Sequence, residues 1–318
     1  MRVLVTGANG FLGSHIVERA LHHGHEVFAL LRKGSDTSNL QHLDGFKTVI
    51  TDYSTSSAID DSLQQIGKID LVIHNAGLTK SYTLDRYLKV NTELTERLIE
   101  ALQNYPQLSE DFKFAYVSSL AARGPVGNGG PASNYGISKL RSEEIVKNSG
   151  LNYLIFRPGG IYGPRDVQFV PLIKTAKLGI YPGMTPKHHK MTFIYASDAA
   201  DSILACSFNH SNVIVHLEDG QIYEHDDLQK VLEDTLSKKL TKLIVGRPIV
   251  KSILFLTDII DRNLGRTPTL SREHYSEISQ DWNYDFRQER ESIPLVIEHS
   301  LDKGFQKTVD YYRTNSLI

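Results

Sequence analysis

Tyr135 and Lys139 stand four residues apart in Tyr135-Gly136-Ile137-Ser138-Lys139, and on a helix they share a face. A free tyrosine has a pKa of about 10 and is a poor base at neutral pH. A nearby ammonium favours phenolate over phenol. The expectation is therefore a lowered tyrosine pKa and a pair that exchanges a proton with an alcohol or a carbonyl. The spacing alone is common. Here it follows Tyr116-Val117-Ser118-Ser119, the end of an apolar strand, and that combination is specific. A serine hydroxyl beside the tyrosine would hold a substrate oxygen and stabilise developing negative charge, and Ser118 and Ser119 compete for that position.

A second chemical signal lies at the N-terminus. Thr6-Gly7-Ala8-Asn9-Gly10-Phe11-Leu12-Gly13 follows the apolar run Val3–Val5 and opens a helix-period segment. Glycines there permit a tight turn and close backbone approach to a pyrophosphate, whose charge sits at the helix N-terminus. The expected contacts are Gly7, Asn9, Gly10, Phe11, Leu12 and Gly13. A carboxylate about twenty residues on usually holds a free ribose 2′-hydroxyl. The second strand instead ends Leu31-Arg32-Lys33-Gly34-Ser35. A guanidinium suits a 2′-phosphate. The reading is NADP held by Arg32, with Lys33 or Ser35 helping and NAD as the alternative. A solvated basic turn is the bland alternative.

The spacing Gly-x-x-Gly-x-x-Gly, with Ile73-His74-Asn75-Ala76-Gly77, Val90-Asn91-Thr92 and the Ser-Tyr-Lys set, resembles the short-chain dehydrogenase/reductase superfamily. The length and Arg157-Pro158-Gly159-Gly160-Ile161-Tyr162-Gly163-Pro164 resemble its extended branch, the epimerase/dehydratase family with dihydroflavonol-reductase-like and 3β-hydroxysteroid-dehydrogenase-like members. The resemblance implies a nicotinamide cofactor that exchanges hydride with the substrate. It implies Ala76, Gly77 and Asn91 beneath that cofactor, Asp52 and Tyr53 near the adenine, and Pro158 and Ile161 as further contacts. Lys139 would bond the nicotinamide ribose. Asp52 reads equally as a turn cap, since Ser54 and Thr55 follow. In this branch the catalytic Ser or Thr precedes a glycine by five positions. Gly124 selects Ser119 as catalytic with Tyr135 and Lys139, leaving Ser118 a supporting or cofactor contact.

Sugar-nucleotide members carry an asparagine where this chain has Gly160, and an Arg-Asp pair near Lys190–Tyr195 that is absent here. Both departures point to an NAD(P)-dependent oxidoreductase acting on a small-molecule carbonyl or alcohol less anionic than a sugar nucleotide. The alternative is a sugar-nucleotide epimerase or dehydratase with retained NAD, and a third class is a non-catalytic dinucleotide sensor. The resemblance also implies a homodimer formed through 85–104 and 135–148.

These residues need a scaffold. Apolar runs at Val3–Val5, Glu26–Leu31, Thr48–Thr51, Leu71–His74, Phe114–Val117 and Tyr153–Phe156 alternate with helix-period segments at 11–22, 85–104 and 135–148. Gly24 is placed to end the first helix. This is the pattern of an α/β, Rossmann-type doubly wound parallel sheet. Residues 1–160 are read as the nucleotide domain. An extended segment at Met191–Tyr195 and a helix at Ser197–Phe208 return to it within 191–210, and 161–318 form most of a smaller C-terminal substrate lobe. The loop 124–131 and the segment 164–190 would wall the substrate pocket. Tyr162, Phe169, Tyr181 and Met184 read as pocket liners or as ordinary core.

Composition bounds the rest. The 318 residues are 40% hydrophobic and 23% charged, with a formal net charge of −2 from 35 basic and 37 acidic residues. No basic surplus exists for nucleic acid. Cys206 is the single cysteine, which excludes an intramolecular disulfide and fits a reducing, cytoplasmic setting. Met1–Val5 runs straight into a strand with no signal peptide expected. The apolar stretch 253–260 is too short to span a bilayer and reads as a packed helix, with an interfacial helix as the alternative; no membrane partner is expected. His22, His23 and His25 have diverging side chains, His188-His189 reads as solvated, and no metal is assigned.

Overall fold

The apolar runs of the first half become parallel strands. In the computed structural model, which describes residues 1–183, 189–246, 248, 250, 252, 254, 255, 257, 259, 275–277 and 279–318, the chain opens with β1 (Arg2–Thr6), α1 (Phe11–His22), β2 (Glu26–Arg32), β3 (Lys47–Thr51), α2 (Ser56–Leu63) and β4 (Ile69–His74). It continues with α3 (Leu84–Tyr87), α4 (Glu93–Gln103), β5 (Leu108–Val117), α5 (Asn134–Lys147) and β6 (Tyr153–Pro158). The smaller lobe draws on β7 (Gly160–Tyr162), α6 (Val170–Lys177), β8 (Ile180–Gly183) and β9 (Phe193–Tyr195). After these come α7 (Ala196–Asn209), β10 (Val213–Leu217), α8 (His225–Leu236) and β11 (Thr241–Ile244), and a helix over Leu301–Thr314 closes the chain.

The expected doubly wound sheet is present. Seven parallel strands run in the order β10-β6-β5-β4-β1-β2-β3. Side chains alternate across it, so that Val3 and Val5 enter a core with Ile16, Ala200 and Ile203 on one face, while Leu4 joins Phe28, Leu98 and Phe114 on the other. Both faces are buried, which is why the strands read as continuous apolar runs. Strand order reverses between β1 and β4, so the crevice beyond their carboxyl ends is the natural ligand site of such a sheet.

Helix α7 lies along α1, joined by Arg19 Nε donating to Asp201 at 2.8 Å and by His23 Nε2 at 2.9 Å from the same oxygen. The sheet also takes in β10, paired with β6, which the sequence pattern did not single out. A third core, built of Tyr162, Tyr181, Phe193, Leu232 and Phe305, holds the lobe together. Tyr162 stacks on Phe305 at 4.9 Å between ring centroids, and Phe169 meets Phe305 edge-on at 5.3 Å. Tyr162 and Tyr181 are thus lobe core with Phe169 packed against it, and Met184 lies outside the described residues.

One expectation is refined and one corrected. The helix expected over 85–104 is present as an unbroken run from α3 to α4, with a π turn at Leu88–Thr92 between them. The wider turn lets Asn91 reach inward, and such insertions recur at functional sites. His189, read as solvated, is buried; its ring packs edge-on against His225 at 6.3 Å between centroids, and the next residue's carbonyl accepts the Trp282 N–H at 2.9 Å. His188 lies outside the described residues. Of the apolar stretch 253–260, Leu254 is buried, while 253, 256, 258 and 260 lie outside the description. Among the described residues no helix is long and apolar enough to cross a membrane.

Candidate active site

The crevice is built first by glycine. Gly7 has φ +64°, and a Cβ on it would lie 2.7 Å from the Ala76 nitrogen; a Cβ on Gly13 would lie 2.0 Å from Gly7 O. The loops after β1 and β4 therefore touch, and α1 seats on the first of them. Gly10 caps α1 with no side-chain hydrogen bond, and its first turn carries no acid. The N–H groups of that turn, including those of Phe11 and Leu12, are left for an anion, which fits a pyrophosphate. The Asn9 side chain donates to Asp36 O at 2.7 Å, and its backbone carbonyl accepts from Asn39 at 3.1 Å.

A buried relay ties this loop to the next element. Thr6 Oγ1 accepts the Ala76 N–H at 3.0 Å and lies 2.7 Å from His74 Nδ1; His74 Nε2 lies 3.0 Å from Thr95 Oγ1, which donates to Asn91 O at 2.6 Å. With the Thr95 proton committed to Asn91, His74 must donate from Nε2 and accept the Thr6 hydroxyl at Nδ1. Burial, with the Lys139 charge beside it, drops the His74 pKa to about 3 and keeps the ring neutral. Asn91 in turn clasps Leu78 (2.6 Å from its N–H, 3.1 Å to its carbonyl) and donates to Ser138 Oγ at 2.9 Å.

The strand end of β5 and the start of α5 bring the predicted triad together. Gly136 permits this, since a Cβ there would lie 2.3 Å from Ala121 O. The Ser119 hydroxyl accepts the Ala121 N–H at 3.1 Å and hydrogen-bonds the Tyr135 side chain. Lys139 is buried, donates to Val117 O at 2.8 Å, and lies where a Cβ on Gly77 would sit 3.5 Å from its nitrogen. Burial pulls its pKa down to about 8, opposed by the Glu143 charge. Ser118 faces the other way, donating to Glu143 at 2.6 Å, where Arg157 grips both carboxylate oxygens at 2.8 and 2.6 Å. The two serines are thus separated by geometry.

The lowered tyrosine pKa expected from Lys139 is reversed. The Tyr135 hydroxyl is held above its ordinary value, first by burial and then by the Glu277 carboxylate, against the Ser119 hydrogen bond. The Lys139 ammonium points into the Val117 carbonyl instead. Tyr87 packs against Tyr135 with ring centroids 5.9 Å apart.

The remaining expected contacts divide. Arg32 stands exposed at the end of β2, and its guanidinium has no hydrogen bond or ion pair among the described residues. The Tyr53 ring is core, its hydroxyl donating to Leu30 O at 2.8 Å, and Asp52 caps Ser54 at N (2.9 Å) and Oγ (2.8 Å), which lowers its pKa. Pro158 ends β6, and Ile161 pairs in register with Ile194. A Cβ on Gly160 would lie 2.6 Å from Phe193 Cδ1. Sequence reasoning missed Glu143, although it lies four residues after Lys139 on one helix face. It also missed Glu277, for which no local signal exists.

The model of the NAD dependent epimerase/dehydratase family matches residues 3–234. A ceramide reductase of Caulobacter vibrioides is 28% identical over 98% of this chain and 94% of its own length. A decarboxylating sterol-4-alpha-carboxylate 3-dehydrogenase of Dictyostelium discoideum is 24% identical over 85% and 88%. A UDP-glucose 4-epimerase from Thermotoga maritima, solved with UDP-glucose, superposes with a TM-score of 0.79 at 19% identity, over 99% of this chain and all of that one, a likeness of fold. With its glycine loop, seven-stranded sheet and Ser-Tyr-Lys cluster, the chain belongs to the NAD dependent epimerase/dehydratase family and is an enzyme of the extended short-chain dehydrogenase/reductase type.

Proposed function

We propose that this chain is an NADP-dependent oxidoreductase that interconverts a carbonyl and an alcohol on a largely apolar small molecule. The observation that carries the reading is the Phe193 ring, which fills the space beside Gly160. Sugar-nucleotide members place an asparagine at that position, and here no side chain fits without moving the ring. The ceramide reductase and sterol dehydrogenase relatives, both named for apolar substrates, support the same substrate class.

The nicotinamide dinucleotide supplies or takes the hydride. In the reducing direction Tyr135 gives its hydroxyl proton to the carbonyl oxygen as the carbonyl carbon gains the hydride, and solvent restores the proton. The Ser119 hydroxyl, already bonded to Tyr135, holds that oxygen. Lys139, beneath Gly77, is placed to bind the ribose. The first turn of α1 holds the pyrophosphate, and Arg32, free of protein partners among the described residues, is the group for a 2′-phosphate.

The test is net turnover. The purified chain, given NADPH and a panel of long-chain ketones and aldehydes, should oxidise NADPH in step with alcohol formed, and Tyr135→Phe should lose about 100-fold or more. Tyr135→Phe with near wild-type turnover, or no NADPH consumption alongside epimerisation of a UDP-sugar, overturns the reading.

A further inference from the structure

The C-terminal segment reaches back over the candidate site. Val126 N–H donates to Asp281 O at 2.9 Å, Lys190 N–H to Asp281 Oδ1 at 3.1 Å, and Tyr284 Oη to Gly124 O at 2.9 Å. Trp282 Nε1 then fixes the backbone of Glu277 by donating to its carbonyl at 2.9 Å. These contacts deliver Glu277 to the N-terminus of α5. There Ser133, the residue capping that helix, accepts the Gly136 N–H at 3.0 Å and donates its own hydroxyl to the Glu277 carboxylate. A helix N-terminus carries partial positive charge, so an anion is favoured there. Tyr135 is the second residue of the same helix, one turn before Lys139.

We propose that Glu277 is a positioning residue for the Tyr135 proton: its carboxylate, held by Ser133 at the end of α5, opposes the tyrosinate that forms when Tyr135 gives up its proton. The inference rests on the reading of Tyr135 as the proton carrier. Around Tyr135 stand Ser119 from the turn after β5, Tyr87 from α3, Tyr116 from β5, and Glu277, while Lys139 on α5 itself turns its ammonium to Val117 O. Of these, Glu277 is the anion, and a negative charge opposes the phenolate. The direction of the tyrosine's shift agrees, with Glu277 second only to burial among its causes. The same tyrosine gives the proton in reduction and takes it in oxidation, so a carboxylate at this position moves the pH at which that proton is exchanged in both directions.

The experiment needs no substrate. The full chain, labelled with [13Cζ]tyrosine, is titrated by NMR to about pH 11, with the Tyr135 line assigned by its loss in Tyr135→Phe. Glu277→Gln keeps an acceptor for Ser133 and removes only the charge; Glu277→Lys reverses it. The phenolate fraction of Tyr135 at the highest common pH should rise about tenfold in Glu277→Gln and further in Glu277→Lys. A Tyr135 line identical in the three proteins, whether or not it titrates, overturns the proposal. Because no turnover is measured, this result is decided separately from the NADPH assay. If Tyr135→Phe keeps its turnover while the titration behaves as expected, the functional reading fails and the charge relationship stands.

Discussion

Phe193 lies where a side chain on Gly160 would go, with its Cδ1 2.6 Å and its Cε1 2.8 Å from the ideal Cβ. The contact joins β7 to β9, which pair in register from Gly160 and Phe193 onward, and it forms one end of the lobe core. A residue type at one position therefore reports on the space around it.

Gly160→Asn should destabilise the chain by about 1–3 kcal/mol through overpacking. Urea unfolding measures it. Adding Phe193→Ala should recover part of the loss by making room, and a double variant no more stable than Gly160→Asn would show that the ring is not the obstacle.

Arg32→Ala should weaken NADPH by roughly tenfold or more, since a charge-assisted contact to a phosphate is worth about 1.5–3 kcal/mol. NADH affinity should barely move. Titrating both cofactors against both proteins by fluorescence decides it, and equal losses would remove the 2′-phosphate role.

The Glu143–Arg157 pair is buried and bidentate, and Ser118 completes it. Removing one partner strands a charge, so Arg157→Met should cost about 3–5 kcal/mol. Arg157→Met with Glu143→Gln should cost less than Arg157→Met alone. Thermal unfolding of the two variants is the comparison.

His74 sets a pH dependence. Its pKa falls from 6.5 in the unfolded chain to about 3 in the fold. Between those values the unfolded chain holds the extra proton, so stability falls as pH drops below 6.5 and stops falling from this cause near 3. Urea midpoints over that range should slope less steeply in His74→Gln than in the wild type. Parallel slopes would place the acid sensitivity elsewhere.

Much of this was legible in the chain because it is local. The glycine loop, the strand runs and the Tyr135–Lys139 spacing are set by residues within one turn or one strand, where periodicity and φ preference act directly. The choice of Ser119 over Ser118 comes from the family resemblance; what only the fold gives is that Ser118 bonds Glu143 while Ser119 bonds Ala121 N–H and Tyr135. The side of the chain that Tyr53 faces and the π turn inside the 85–104 helix were not legible, because a tyrosine after a strand and an inserted turn look alike in one dimension whether they face a ligand or the core.

The sequence by itself determined the sheet, the dinucleotide loop and the residue types that can move a proton beside a hydride. Only the tertiary structure decided how those groups are tuned. Ser133 and Glu277 are 144 residues apart, yet they meet at the end of α5, two positions before Tyr135. Lys139 turns to Val117, and Phe193 closes the space at Gly160. Such pairings arise where the C-terminal segment and the lobe fold back over the sheet. Burial and electrostatic field depend on everything within several ångströms, whatever its distance along the chain.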